Sequence, residues 1–197
     1  MSGGIEEEYD LKKIRSTIYS ASSYSKHSSG RSSENVCFDQ LWDILINARK
    51  KSSVIGACIN VLPTDYANEA RMPNGLVRGH AYIITKMAEI DLRGVFHKII
   101  RVYNPWGNEI EWNGEWSDRS SVWWSIDAET KQALELKIDT DGEFWMSYRD
   151  FFLDYDQCQI CNLTPSTVSD ISEKDWADQR LVSVSKQAFG LCLDSLC

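Results

Sequence analysis

Two adjoining apolar stretches, HAYIITKMAEI (80–90) and VFHKIIRVY (95–103), most constrain what this chain can become. Both are rich in Ile, Val, Tyr and Thr, and the polar break at Asp91–Gly94 predicts two strands folded back as a hairpin. Such strands pair antiparallel. The residue that opens the first strand and the residue just past the end of the second then come to the same edge of the sheet. Those residues are His80, in GHAY, and Asn104, which begins NPWG. A histidine serves as a general base only with its ring held, and an acceptor for its Nδ1–H holds it. An asparagine carbonyl does this without adding charge. Trp106 is placed to cover that bond from water, and Pro105 stiffens the turn at Asn104. Read from these residues alone, a structural histidine and a turn with an aromatic plug remain open.

The rest of the chain predicts an α+β fold of mainly antiparallel strands, with small twisted sheets, one substantial helix and long loops. Ile5–Tyr19 reads as a strand followed by an irregular or partly helical stretch, and residues 16–33 as a serine-rich flexible loop. Phe38, Leu41, Trp42, Leu45 and Ile46 recur at helical spacing, with Asn35 as a candidate cap and Lys50–Lys51 at the C-terminal end. Val54–Leu62 reads as a buried strand and Pro63–Asn74 as a loop. Ala128–Leu136 predicts a short helix, Asp139–Gly142 a turn, Phe144–Tyr155 a strand end and helix, and Gln157–Leu163 a last strand. Five of the eight tryptophans fall within Trp106–Trp124, which marks that stretch for dense packing or the wall of a cleft.

Charge and cysteine usage narrow the function classes. A net charge of −8 argues against a nucleic-acid binder, because phosphate binding needs a Lys/Arg surplus. No apolar run approaches the roughly 18 residues that span a bilayer, so no transmembrane segment is expected. The acidic start MSGGIEEEYD does not read as a secretory leader, and six scattered cysteines predict free thiols and a cytoplasmic location.

Several blocks carry a family resemblance. GLVRGHAY (75–82), RVYNPWG (101–107), EWNGEWSDRSSVW (111–123), DGEFWMSYRDF (141–151) and QICNLTP (159–165) resemble, in order and nearly in spacing, the calpain family of papain-like cysteine proteases. SGGI (2–5) and RKKSSVIGACI (49–59) resemble further pieces of its second protease subdomain. The resemblance covers roughly residues 2–165; residues 1–165 are expected to be the His/Asn-bearing subdomain and 166–197 an unassigned, poorly ordered tail. It implies that His80 is the catalytic imidazole, Asn104 its orienting partner and Trp106 the shielding tryptophan. Gly79 would offer backbone contact to a substrate peptide. It also implies Ca²⁺ as a cofactor, held by Glu111, Asp118, Asp141 and Glu143 with a backbone carbonyl near Asp139; hard oxygen donors suit that ion. The interval from NPWG to EW is one residue longer than the family's usual one.

The family's nucleophile follows a Gln-x-Gly-x-Cys-Trp pattern at a helix start, where the thiol ionises readily. No such pattern occurs here. Cys58 lies in an apolar run after a helix, and Cys37 opens the long helix in a region with no catalytic role in the family. Cys158 and Cys161 form a C-x-x-C without two further zinc ligands, which favours strand cysteines. The expected activity is calcium-dependent cleavage of internal peptide bonds in protein or peptide substrates. The expected partner is the cysteine-bearing half of a calpain core, without which this chain is expected to be inactive. A non-enzymatic calcium-binding or interaction module of the same fold is the alternative.

Overall fold

The computed structural model describes residues 5–23, 38–65, 69–105 and 111–162. The elements run β1 (Ile5–Asp10), α1 (Leu11–Ser23), α2 (Phe38–Lys50), β2 (Val54–Ile59), β3 (Ala70–Arg71), β4 (Val77–Arg78), β5 (His80–Leu92), β6 (Val95–Tyr103), α3 (Ala128–Ala133), β7 (Glu143–Ser147), α4 (Tyr148–Asp154) and β8 (Gln157–Asn162), with a 3₁₀ turn at Ser121–Ser125. Six strands form one antiparallel sheet in the order β1-β8-β2-β5-β6-β7, and β3 pairs with β4 in a separate ribbon. The α+β class with a mainly antiparallel sheet is as the sequence predicts.

The predicted hairpin is β5–β6, and its turn is tighter than Asp91–Gly94. Leu92 pairs with Val95, leaving Arg93 and Gly94 at φ 57° and 83°, the two positive values that suit a two-residue turn to the twist of its strands. The pairing slips once, at Thr85, which bulges between Ile84 and Lys86. Before the bulge Tyr82 and Ile84 face the main core; beyond it Ala88, Ile90 and Leu92 face a second cluster. One extra residue reverses the faces of a strand, so a single strand serves two cores.

The main core packs α2 and α4 against the sheet. Leu41, Trp42, Leu45 and Ala48 are buried at the helical spacing the sequence shows, and Phe38 meets Tyr148 and Phe152 ring to ring. The second core holds Trp116, Trp123 and Trp145 with Ile90, Ile99, Ile126 and Leu134. Trp112 packs in the main core, whereas Trp124 is 87% exposed. The tryptophan-rich run is therefore mostly packing, divided between two clusters.

Two expectations need correcting. Helix α1 is as long as α2, 13 residues each, and runs to Ser23, through the first part of the stretch read as a serine-rich loop. Leu11, Ile14 and Ile18 supply an apolar stripe, while Ser16 and Thr17 bond back to the Lys13 carbonyl instead of competing with the helix. Arg15 then anchors α1 by donating to the carbonyls of Phe152 and Tyr155 at 2.6 Å each, satisfying acceptors at the end of α4. Secondly, the Pro63–Asn74 loop contains strand β3, which turns back on β4 through Gly75. Residues 24–33, Asn35, Cys37 and the 166–197 tail lie outside the described residues.

Gly75 is the position this turn cannot change. Its φ is 86°, and a Cβ there would stand 1.9 Å from the Glu111 carbonyl oxygen. Gly75→Ala is expected to cost on the order of 2 kcal/mol or more, read as a lower chemical-denaturation midpoint. Gly94→Ala meets nothing within 4 Å, so its cost is confined to the backbone conformation and is expected to be the smaller of the two.

Candidate functional site

His80 opens β5 and Asn104 follows β6 directly, so the register of the hairpin decides their separation. Ile83 pairs with Tyr103, which sets Asn104 across from Tyr82 and one pleat repeat from His80. The imidazole Nε2 and the Asn104 Oδ1 are 2.6 Å apart. Both residues are buried, Asn104 completely. A carbonyl oxygen only accepts, so the proton in this bond belongs to Nε2. The sequence expectation had placed the acceptor on Nδ1; the ring is turned the other way, with Nε2 on Asn104.

The backbone holds both partners. Gly79, at φ 68°, donates its N–H to the Ile59 carbonyl at 2.7 Å, and Ile59 pairs with His80 across β2 and β5. The Asn104 N–H donates to the Gly142 carbonyl at 2.8 Å. The Tyr82 ring and the imidazole meet edge to face, their centroids 5.1 Å apart. Trp106, the expected cover, lies outside the described residues.

Nothing in the sequence reading singles out Glu69, yet its Oε1 stands 3.5 Å from His80 Nδ1. The β3–β4 register explains this. Ala70 pairs with Arg78 and Arg71 with Val77, and the next step sets Glu69 across from Gly79, beside His80. Two-residue strands leave no periodic signal, so only the turn at Gly75 could have hinted at it.

The acidic residues meet in part. Glu111 Oε1 accepts from the Gly142 N–H at 2.8 Å, Asp118 Oδ2 from the Asp139 N–H at 2.9 Å, and Asp141 Oδ1 from the Glu143 N–H at 3.0 Å. These bonds gather the carboxylates of Glu111, Asp118 and Asp141 around the 139–142 turn. Burial pushes the Asp118 carboxyl up to about 6, and the charges of Glu111, Asp141 and Asp139 add to that against the Asp139 N–H bond. Burial likewise raises the Glu111 carboxyl, with Asp141 and Asp139 contributing. Burial opposes ionisation of Asp141 too, but its bond to the Lys137 ammonium prevails and holds that carboxyl low. Glu143 does not join the group as expected: it accepts from the Thr85 hydroxyl at 2.7 Å and pairs with Arg101 at 3.2 Å. Among the described residues no three metal-ligating side chains stand close enough to hold an ion as arranged. Asp118 Oδ1, however, is buried with no hydrogen-bond partner among those residues.

Among the described residues the cysteines give no alternative centre. Cys58 is buried in mid-strand, 3.4 Å from the Gln157 side-chain oxygen, and burial drives the Cys158 thiol far up. Among the described residues no disulfide joins Cys58, Cys158 or Cys161; Cys37, Cys192 and Cys197 lie outside the described residues. Among the described residues no helix is long and apolar enough to cross a membrane.

The sequence matches the calpain family of cysteine proteases over residues 1–162. It is 39% identical to Calpain-A of Drosophila melanogaster over 173 residues, covering 86% of this chain and 18% of that protein. Against Calpain-9 of Mus musculus the identity is 41% over 138 residues, 70% of this chain and 20% of the relative. Against the Calpain-2 catalytic subunit of Bos taurus it is 36% over 176 residues, 89% and 21%. The chain spans about a fifth of the length of these relatives.

The raised Asp118 carboxyl has a stability consequence. Its folded value of about 6 lies above the ordinary 3.8, so the folded chain binds that proton more tightly than the unfolded one. Its ionisation therefore costs nothing below about pH 4, and the cost grows up to about pH 6 and persists above it. Asp118→Asn, which keeps an acceptor for the Asp139 N–H, is expected to raise the melting temperature at pH 7.5 in chelator but not at pH 4. Equal shifts at the two values would count against a charge-based cost.

Proposed function

We propose, from the premise that the chain belongs to the calpain family of cysteine proteases, that it supplies the histidine- and asparagine-bearing wall of a peptide-hydrolysing site. The observation that carries this reading is the buried 2.6 Å bond between His80 and Asn104. That bond engages Nε2, so a proton exchanged with a thiol would pass through Nδ1. In this reading His80 takes the proton of an attacking thiol at Nδ1 and later returns one to the leaving amine. Asn104 keeps the ring from rotating, and its neutral amide adds no charge that would compete with the thiolate. In this reading Gly79 offers backbone to an extended substrate, and Trp106, outside the described residues, is assigned the shielding role that the family resemblance implies.

The thiol must come from the cysteine-bearing half of a calpain core, because these residues contain no Gln-x-Gly-x-Cys-Trp pattern and Cys58 is buried. A cytoplasmic setting is proposed from the six scattered cysteines of the sequence. Protein or peptide chains are the proposed substrates.

Calcium is the proposed cofactor. The unpartnered Asp118 oxygen and the mutual repulsion of Glu111, Asp118 and Asp141 are what a divalent cation would relieve. Asp139 would contribute its backbone carbonyl, and Glu143 only after releasing Arg101. When bound, the ion supplies positive charge that holds the 139–142 turn to the Glu111–Asp118 loop. A calcium-binding module without turnover is the second reading, favoured by an acidic group gathered around its own turn.

With a fluorogenic peptide and excess calcium, the 197 residues alone are expected to give no turnover. Adding a separately produced cysteine-bearing half of a calpain should restore it. His80→Ala should then lose about 10²–10⁴-fold, while Cys58→Ala should leave the rate intact. Restoration that survives His80→Ala would refute the protease reading. Calorimetry should give calcium heat from the native chain and a much reduced signal from Asp118→Asn; no heat from either would remove the calcium assignment and with it the second reading.

A further inference from the structure

We propose that Glu69 is a built-in inhibitory contact: its carboxylate occupies the Nδ1 side of His80 and must withdraw before a thiol can reach the ring. This rests on the reading of His80 as the base. The ring has two nitrogens, and Asn104 already holds Nε2 at 2.6 Å. A thiol sulfur sharing a proton with Nδ1 has to come within about 3–4 Å of it. Glu69 Oε1 is already there, at 3.5 Å. Two heavy atoms cannot share that place. The imidazole side chain is only 5% exposed, so there is little room to approach around the carboxylate.

The placement is built by the fold. Glu69 stands at the head of the β3–β4 ribbon, whose register delivers it opposite Gly79. The turn of that ribbon is locked by Gly75, which no side chain can replace without meeting the Glu111 carbonyl. The Asn74 carbonyl also accepts from the Asn113 N–H at 3.0 Å, fixing the ribbon to the following loop. The carboxylate itself is freer, with the Glu69 side chain 36% exposed. An anion at this position imitates what a thiolate would offer the ring, and so keeps the nucleophile's place filled in its absence. A partly exposed carboxylate holds such a contact weakly, so it acts as a latch that a docking protein surface can open.

The test uses Glu69→Ala in the full chain. Diethyl pyrocarbonate acylates an imidazole through an accessible ring lone pair, and peptide mapping by mass spectrometry reads His80 separately from His97. His80 acylation is expected to rise up to about fivefold, the order a partly exposed charged contact is worth, with His97 unchanged as the sign of an intact fold. An unchanged His80 rate overturns the proposal. In the reassembled enzyme, with the cysteine-bearing half and calcium, Glu69→Ala should raise peptide turnover at limiting concentrations of that half. Equal or lower turnover also overturns it. If reassembly yields no turnover with either chain, the protease reading fails instead, and the acylation ratio alone decides whether Glu69 covers Nδ1.

Discussion

The bulge at Thr85 is the constraint on which the rest of this structure depends. A strand of 13 residues with strict alternation would present one apolar face to one core. Here Tyr82 and Ile84 must face α2 and α4 while Ile90 and Leu92 face Trp116 and Trp123. An unpaired residue at 85 satisfies both, and β6 needs no matching slip, since Ile100 and Val102 face one core and Ile99 the other by simple alternation. The bulge also reaches into the site. It turns the Thr85 hydroxyl toward Glu143 and Arg101, so the carboxylate of the Asp-Gly-Glu sequence is already engaged by a neighbouring strand. Which carboxylates gather around the 139–142 turn is thus set in part by a pairing irregularity elsewhere in the sheet.

What was legible in the sequence follows from the range over which each signal acts. The closeness of His80 and Asn104 depends on one short hairpin, whose strands and turn are all in a continuous stretch; local chemistry sufficed. The choice of ring nitrogen did not follow, because it is set by the side-chain torsions of a buried imidazole packed beside Tyr82, about which strand periodicity says nothing. The first turns of the Ser-rich stretch failed for a related reason. Serine in sequence signals competition with the backbone, but α1 is held from outside, by Leu11 in the core and Arg15 at the end of α4. Glu69 was illegible because β3 and β4 are each two residues long. Pairing that short is held in part by Gly75 and the Glu111–Asn113 segment, which clamp the turn from some 40 residues away in the chain.

The acidic turn and the imidazole pair are different pieces of chemistry joined at one peptide group. Gly142 donates its N–H to Glu111 and accepts the Asn104 N–H at its carbonyl. Its φ of 85° is what lets the two bonds point to opposite partners within a turn. A β-branched or bulky residue there would have to abandon that conformation, and one of the two bonds with it. The consequence is mechanical. Glu111 cannot change its hold on the turn without moving the carbonyl that positions Asn104, and Asn104 cannot move without releasing Nε2 of His80. Because interiors this closely packed shift between arrangements instead of stretching, any event that reorganises the carboxylates around Asp118 must either leave Gly142 in place or carry the histidine with it.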